Sequence, residues 1–377
     1  MINIDDLRTN PALLKIELLT KGVRIGRISM ESNEDKEKYF YDTSKKSSFD
    51  LPSEIILPKN TLTNLFISNN SPYLLNNKAI YTKKRKICAV KFAPEPKFSR
   101  ELLSDGTPAS RVASMYSPGV FSIFLNRVCS FVKGNNLCRF CSIEYTRKNK
   151  GKENSVNPSV KQVKEAFKLA LKKDDIKYIF VTSGSYSDPD KGILQQMKYI
   201  HAMKAIKKIS SHLTTMPPKS DKLLKWLAKY GPDTISFDIE VFDKKLFEYY
   251  CPGKNKQIPY EDWLKIFKKA AKYFGKNRVK IGFVCGLGPL KSLVRGMEFV
   301  GKLGLVPAFN IFHPDEGTPL KNHTRPSSRY VLRAVKEQER IYRKYGLIPV
   351  FPYIGRRSSL DTEVFRGDFK NVNAKLK

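Results

Sequence analysis

Cys129, Cys138 and Cys141 stand in a C-x8-C-x2-C spacing, three thiols within thirteen residues. Thiolates bind metals, and three on one loop fill three corners of a metal centre. A structural zinc ion normally takes four protein ligands, whereas a [4Fe–4S] cluster held by three cysteines keeps one iron open to another molecule. No fourth Cys or His lies near the triad along the chain. Phe140, directly before the last cysteine, and Gly134 with Asn135 and Asn136 suit a loop wrapped around a partly apolar pocket. Six cysteines in 377 residues are too few for a disulfide scaffold, and their crowding in a reducing compartment favours metal over disulfide.

Other residue types point to further chemistry. In Ser236-Phe237-Asp238-Ile239-Glu240 the two carboxylates alternate, which places both on one side of a strand. There they can accept from hydroxyls and pair with an ammonium group. Cys251, within Tyr249-Tyr250-Cys251-Pro252-Gly253-Lys254, and Cys285 are candidate reactive thiols, with a small core residue as the plain alternative. His313 and Tyr353 are candidates for substrate contact, and Arg356 with Arg357 for holding a carboxylate or phosphate. Cys88 reads as structural.

These residues need elements to carry them. From about Phe121 onward, apolar β-type runs alternate with amphipathic stretches, the pattern of strand–helix units around a parallel sheet. Strands are expected at Val120–Val128, Ile176–Thr182, His212–Thr215, Thr234–Ile239, Val279–Val284, Val306–Phe312 and Leu347–Phe351. Helices are expected to open at Asn157-Pro158, Ser220-Asp221 and Tyr260-Glu261, the last closing at Gly275. The local pattern fits a partial or nearly closed (β/α) barrel and equally a doubly wound sheet. Residues before this region read as β-rich, with Leu13–Leu19 and Val23–Ile28 expected to form a hairpin and Ile87–Phe92 a strand. The expected division is a β-rich region at 1–115, a barrel at 116–355 and a tail at 356–377.

Composition bounds the rest. A hydrophobic content of 41%, with 23 Phe and 18 Tyr, excludes global disorder. No apolar run approaches a membrane-spanning length, and the opening MINIDDLRTN lacks a signal-peptide layout, so a soluble cytoplasmic protein is expected. The net charge is +33, and residues 1–60 contribute ten basic and ten acidic side chains, so all of the excess lies beyond them. Such a charge suggests an anionic partner, nucleic acid first. Lys83-Lys84-Arg85-Lys86 and Arg147-Lys148-Asn149-Lys150 would then be phosphate contacts; the alternative is a set of solvated helix faces.

The cysteine motif resembles that of the radical SAM enzymes, whose usual signature is C-x3-C-x-aromatic-C. The half formed by Cys138-Arg139-Phe140-Cys141 matches, and the first spacer is longer, as in some branches. The resemblance covers roughly residues 115 to 355 and is similar in its later segments to the biotin synthase and lipoyl synthase branch. It implies a partial barrel, a [4Fe–4S] cluster on Cys129, Cys138 and Cys141, and S-adenosylmethionine (SAM) bound at the open iron and cleaved reductively to a 5′-deoxyadenosyl radical. It further implies SAM contacts from Ser183, Gly184 and Ser185 to the amino group, from Asp238 and Glu240 to the ribose, and from the Gly286 and Gly288 segment beside adenine. Asn310–Pro314 and Gly317–Leu320 resemble the closing segment of that branch. The resemblance makes Cys251 and Cys285 candidate quenching thiols, sulfur donors or auxiliary-cluster ligands, and implies a flavodoxin- or ferredoxin-like electron donor. A small-molecule substrate in a biosynthetic or cofactor-assembly step is the leading expectation. An RNA-modifying radical enzyme is the variant that the charge supports, and a non-catalytic, metal-stabilised RNA-binding protein is the competing class.

Overall fold

The computed structural model describes residues 2–26, 54–150 and 157–372. Six parallel strands stand side by side in chain order: β1 (Val120–Leu125), β2 (Tyr178–Ser183), β3 (Ser210–Thr214), β4 (Thr234–Ser236), β5 (Val279–Cys285) and β6 (Val306–Ile311). Ser114–Ser117 pairs antiparallel with β1 and borders that edge. Parallel neighbours cannot be joined by a tight turn, so the chain crosses outside the sheet between strands, here through helices. The result is a curled, partial (β/α) barrel rather than a doubly wound sheet. Tyr178 lies opposite both Val120 and Ser210, and Lys280 opposite Ser236 and Val306, so the carboxyl ends of all six strands gather at one end.

The connecting helices are α1 (Val160–Lys173), α2 (Ile193–Lys204), α3 (Asp221–Tyr230), α4 (Tyr260–Phe274), α5 (Leu290–Lys302) and α6 (Ser328–Tyr345). Each buries one stripe. In α4 this is Trp263, Ile266, Phe267, Ala270 and Phe274, and burying a side chain such as Phe267 stabilises the fold by about 1.5–3 kcal/mol. The opposite faces carry the lysines: Lys161, Lys164, Lys168 and Lys172 on α1, Lys222, Lys225 and Lys229 on α3, and Lys265, Lys268, Lys269 and Lys272 on α4 are all exposed. The start of α1 differs from expectation. Ser159 caps it, in a reciprocal capping box with Gln162, while Asn157 accepts the Asn126 N–H at 2.6 Å instead.

Two expected strands are absent. Leu347–Phe351 runs without ladder pairing, because Gly346 turns the chain at φ 58 and Pro349 and Pro352 lack the N–H a central strand must donate. Its Val350 and Phe351, with Ile354, instead pack on Val120 and Phe180 and stop the amino-terminal end of the barrel. Above this plug, buried His212 bonds Thr234 at 2.9 Å and Ser236 at 2.8 Å, and burial holds its imidazole well below the ordinary histidine range.

The expected amino-terminal hairpin is replaced by a helix, Pro11–Lys21, capped by the Asn10 side chain on the Ala12 and Leu13 N–H groups. Every residue from Pro11 to Thr20 is buried, so no polar face marks a helical period. Arg24–Ile25 pairs in parallel with Tyr73–Asn76, and residues 27 and 28 of the expected strand lie outside the described residues. The β-rich character holds elsewhere: Tyr73–Asn76, Ala79–Thr82 and Arg85–Ala89 form one antiparallel run, and Glu54–Leu57 pairs with Thr61–Asn64 and Lys91–Phe92. Lys83 and Lys84 sit in the turn between two of these strands, exposed.

The buried helix carries a buried cation. Lys15 Nζ donates to Glu363 Oε1 at 2.9 Å and to the Arg356 carbonyl at 2.7 Å, with neither charged side chain exposed. Arg356 in turn pairs with Asp361 at 2.9 Å, and Arg357 with Glu54 at 2.9 Å, so the two arginines hold the fold and not a ligand. Removing one partner leaves an uncompensated buried charge. Glu363→Ala is expected to cost about 3–5 kcal/mol in urea unfolding, and the double variant Lys15→Met, Glu363→Leu to recover most of it; equal losses in both would refute the pairing.

Candidate metal centre

The cysteine loop begins where β1 ends, and a backbone irregularity makes its first turn. Asn126 adopts φ 43, and its side-chain amide donates to the Ser185 carbonyl at 2.7 Å and the Gly184 carbonyl at 3.3 Å. This ties the loop after β1 to the loop after β2. Ser130 N–H then donates to the Ser185 carbonyl at 2.8 Å, and Ser185 N–H to Cys129 Sγ at 3.3 Å. Gly184 lies between them. A Cβ there would meet the Asn126 carbonyl at 2.4 Å and the Cys129 Cα and Cβ at 3.0 and 3.1 Å, so only glycine fits this approach. Ser183 faces away and bonds Gln196 at 3.1 Å.

Cys138 and Cys141 follow in a tight turn, Cys141 N–H donating to the Cys138 carbonyl at 2.9 Å. The turn is held from a second segment, remote in sequence. Arg139 N–H donates to the Tyr250 carbonyl at 2.9 Å, its Nε to the Tyr249 carbonyl at 2.8 Å, and its guanidinium stacks 4.2 Å from the Tyr249 ring centroid. Gly253 N–H donates to the Asn136 carbonyl at 3.0 Å. Cys251, with no solvent exposure, lies between these contacts and next to Cys138. A fourth cysteine therefore does stand beside the triad, brought by the fold from residues that sequence proximity does not reveal. The motif around it, Tyr249-Tyr250-Cys251-Pro252-Gly253-Lys254, was the only signal.

Electrostatics differ among the thiols. The neighbouring Cys251 thiol pulls Cys138 below the ordinary thiol value against the effect of burial. Burial raises Cys129, and it pushes Cys141 up to about 12 and Cys251 well above the usual range. Beside them stands a buried cation, Lys254, whose Nζ donates to Glu240 Oε1 at 2.5 Å and the Asp238 carbonyl at 2.6 Å. Burial alone would lower its pKa, but Glu240 and the neighbouring Cys138 and Cys251 outweigh burial and hold Lys254 charged.

The two carboxylates are not a matched pair. β4 ends at Ser236, and Glu240 adopts φ 71 while bonding through its backbone to Gly282 and Val284 of β5, which breaks the expected alternation. Glu240 goes to Lys254, and Asp238 Oδ1 stands 3.4 Å from Lys280 Nζ, pressed on Gly282 where a Cβ would come within 2.3 Å. Gly286, at φ 112, lies against Pro326, and Gly288 against Leu246, with its carbonyl accepting from the Tyr330 hydroxyl at 2.8 Å. Both are at the mouth, and their backbones are engaged in packing there.

His313 also lies at this end. Its Nδ1 stands 2.8 Å from Asp315 Oδ1, and the Ser142 hydroxyl, next to Cys141, donates to Asp315 Oδ2 at 2.9 Å. The His313 ring packs on Phe66 at 5.0 Å between centroids, and the Arg325 guanidinium lies 4.2 Å from the Phe66 ring centroid. Cys285 is buried at the end of β5, its carbonyl accepting the Phe312 N–H at 2.9 Å, and burial raises its thiol. Tyr353 is elsewhere: 84% exposed, it lines a cavity of about 460 Å³ with Gly119 and Lys177, which precede β1 and β2 and so mark the opposite end of the barrel.

The donor set fits a cluster. Three thiols share one loop, and the Ser130 and Ser185 hydroxyls flanking Cys129 are buried without hydrogen-bond partners. Among the described residues no group of three or more His, Cys, Asp or Glu gathers as around a single bound ion. Among them, too, no helix is long and apolar enough to cross a membrane.

Residues 128–292 match the family model of the Radical SAM superfamily. Over 261 residues the chain is 23% identical to bacteriochlorophyllide c C-7(1)-hydroxylase of Chlorobaculum limnaeum, covering 64% of each protein. It is 23% identical over 257 residues to an uncharacterized protein of Methanocaldococcus jannaschii, covering 66% of this chain and 64% of that one. The chain thus spans about 64% of the length of these curated relatives. Among solved structures it is similar to the FeFe-hydrogenase maturase HydG from Carboxydothermus hydrogenoformans (17% identity, TM-score 0.45, 62% of this chain and 56% of that chain). It is also similar to a radical SAM methyltransferase from Sphaerobacter thermophilus (16% identity, TM-score 0.44, 63% and 67%).

Gly184→Ala is expected to overpack the junction at a cost of about 1–3 kcal/mol and to lower the iron bound per chain after anaerobic reconstitution. Wild-type iron content in this variant would remove Gly184 from the site.

Proposed function

From the premise that this chain belongs to the radical SAM superfamily, we propose that it is a cytoplasmic biosynthetic enzyme that abstracts hydrogen from an unactivated carbon of a small molecule. Members of the superfamily use a [4Fe–4S] cluster and SAM, and the enzyme class follows from membership. In this reading Cys129, Cys138 and Cys141 hold the cluster. When bound, the cluster and SAM supply reductive cleavage of SAM and the carbon radical that removes the substrate hydrogen.

The protein's own residues do the placing. Ser185 N–H donates to the Cys129 sulfur, which favours the thiolate that metal binding requires. Lys254 stays charged beside them and neutralises part of the negative charge that three thiolates and Glu240 bring together. Gly184, Ser185, Asp238, Glu240, Gly286 and Gly288 occupy the strand ends around this loop, and the proposed SAM contacts come from them. Phe66, His313 and Arg325 wall the same end, and Asp315 orients His313 through Nδ1. An electron-transfer protein of the flavodoxin or ferredoxin kind is the proposed reductant.

The observation that carries the reading is the hydrogen-bonded junction of Asn126, Cys129, Gly184 and Ser185, which mounts the cysteine loop on the carboxyl ends of parallel strands, where barrels of this kind build their sites. Two facts support a small molecule over RNA. Exposed lysines cover the outer faces of α1, α3 and α4, and one relative is named for hydroxylating a bacteriochlorophyllide.

Anaerobic reconstitution with iron and sulfide, then SAM and dithionite, is expected to yield 5′-deoxyadenosine and methionine. Cys138→Ala is expected to lose both the cluster absorbance and the products. A wild-type protein that carries a full cluster and releases no 5′-deoxyadenosine would refute the reading.

A further inference from the structure

Among the described residues the buried lysines are Lys15, Lys191 and Lys280, and a buried ammonium is costly unless an anion stands against it. Lys15 has Glu363 at 2.9 Å, and Lys280 has Asp238 at 3.4 Å. Lys191, only 7% exposed, has neither an ion pair nor a side-chain hydrogen bond among the described residues. Its ammonium keeps open surface, since it is not among the side-chain polar atoms that are both sealed from solvent and unpartnered. The carboxylates nearest in the chain are used otherwise. Asp190 accepts the Gly192 and Leu194 N–H groups at 3.2 and 3.0 Å where α2 begins, and Asp188 is exposed to solvent.

The place is the carboxyl end of the barrel. Lys191 lies in the loop from β2 to α2, and Gln196 fastens that loop to two strand ends. Gln196 Nε2 donates to the Lys191 carbonyl at 3.4 Å and to Thr215 Oγ1, just past β3, at 3.1 Å, while its Oε1 accepts from the Ser183 hydroxyl at 3.1 Å. The loop after β3 carries exposed Lys219, whose like charge adds to burial in holding the Lys191 pKa below the ordinary lysine value. The amino ends of α2 and α3 open at the same end and add positive potential.

We propose that Lys191 holds an anionic group of the substrate, a carboxylate or a phosphate, at the carboxyl end of the barrel, with Lys219 of the next loop adding to its field. This rests on the reading that this end is the active site, and it narrows the small molecule of that reading to an anion. The chain supplies Lys15 and Lys280 with carboxylates of its own and leaves the counter-ion of Lys191 to come from outside. Because the stem is buried, the ammonium has little freedom, so the contact orients the substrate as well as retaining it.

The test is calorimetric titration of the full chain with inorganic phosphate at fixed ionic strength. The wild type is expected to bind at one saturable site, and Lys191→Met, which keeps the apolar stem, to bind at least about tenfold more weakly. Lys191→Arg and Lys225→Gln, the second removing the same charge from the exposed face of α3, are expected to stay near wild type. In urea without phosphate, Lys191→Met is expected to be no less stable than wild type, because it removes a buried charge that had no partner. Unchanged affinity in Lys191→Met overturns the proposal, and so does an equal loss in Lys225→Gln, which would mean that bulk charge binds the ion. A marked loss of stability in Lys191→Met also overturns it, since Lys191 would then be a packing residue. Repeated on the reconstituted holoenzyme with saturating SAM, the titration is expected to be unchanged; displacement of phosphate by SAM would give the site to the SAM carboxylate and overturn the assignment to substrate. A chain that binds phosphate through Lys191 and never yields 5′-deoxyadenosine would instead defeat the proposed function.

Discussion

A loop with little regular structure of its own must hold three thiols close together, and thiolates repel. The structure meets that constraint by borrowing backbone from elsewhere. Carbonyl and amide groups of the loop after β2 take Asn126, Cys129 and Ser130, and those of residues 250 to 253 take Asn136 and Arg139. Each junction is closed by a glycine, Gly184 in one and Gly253 in the other, because a methyl group would force the two backbones apart. The rest of the barrel can be understood as the frame that brings these borrowed segments to one end.

The frame was largely legible. Six parallel strands fall where apolar β-branched runs occur, since a strand buried on both faces needs a continuous apolar run and helices between strands show their polar stripe. The two failures have the same origin, a local pattern overridden by surroundings. Pro11–Lys21 is helical although no face of it is polar, and Leu347–Phe351 looks like a strand until Pro349 and Pro352 are considered as missing donors. The site was legible to the extent that chemistry is local. Cys129, Cys138 and Cys141 declare themselves by spacing, whereas Cys251 and Lys254 act on them across more than a hundred residues, a relation set only by how the strands are ordered. Asp238 and Glu240 show a further limit: alternation put them on one side, but the positive φ at Glu240 and two separate lysines part them.

The surplus of charge has acquired a location. Lysines coat the helices that face away from the strand ends, while Lys254 and Lys280, beside the site, are each taken up by a carboxylate. Much of the charge is thus a matter of solvated helix faces, and the two lysines paired beside the site belong to a few buried contacts.

The buried contact of Lys15 with Glu363 joins residues 348 positions apart. At typical rates of protein synthesis the carboxylate emerges roughly 20 to 70 seconds after the lysine. Throughout that interval the helix Pro11–Lys21, buried along its length in the folded protein, is without the carboxylate that partners Lys15. Seating of this helix against Glu363 can therefore be completed only after the segment that carries the carboxylate has been made.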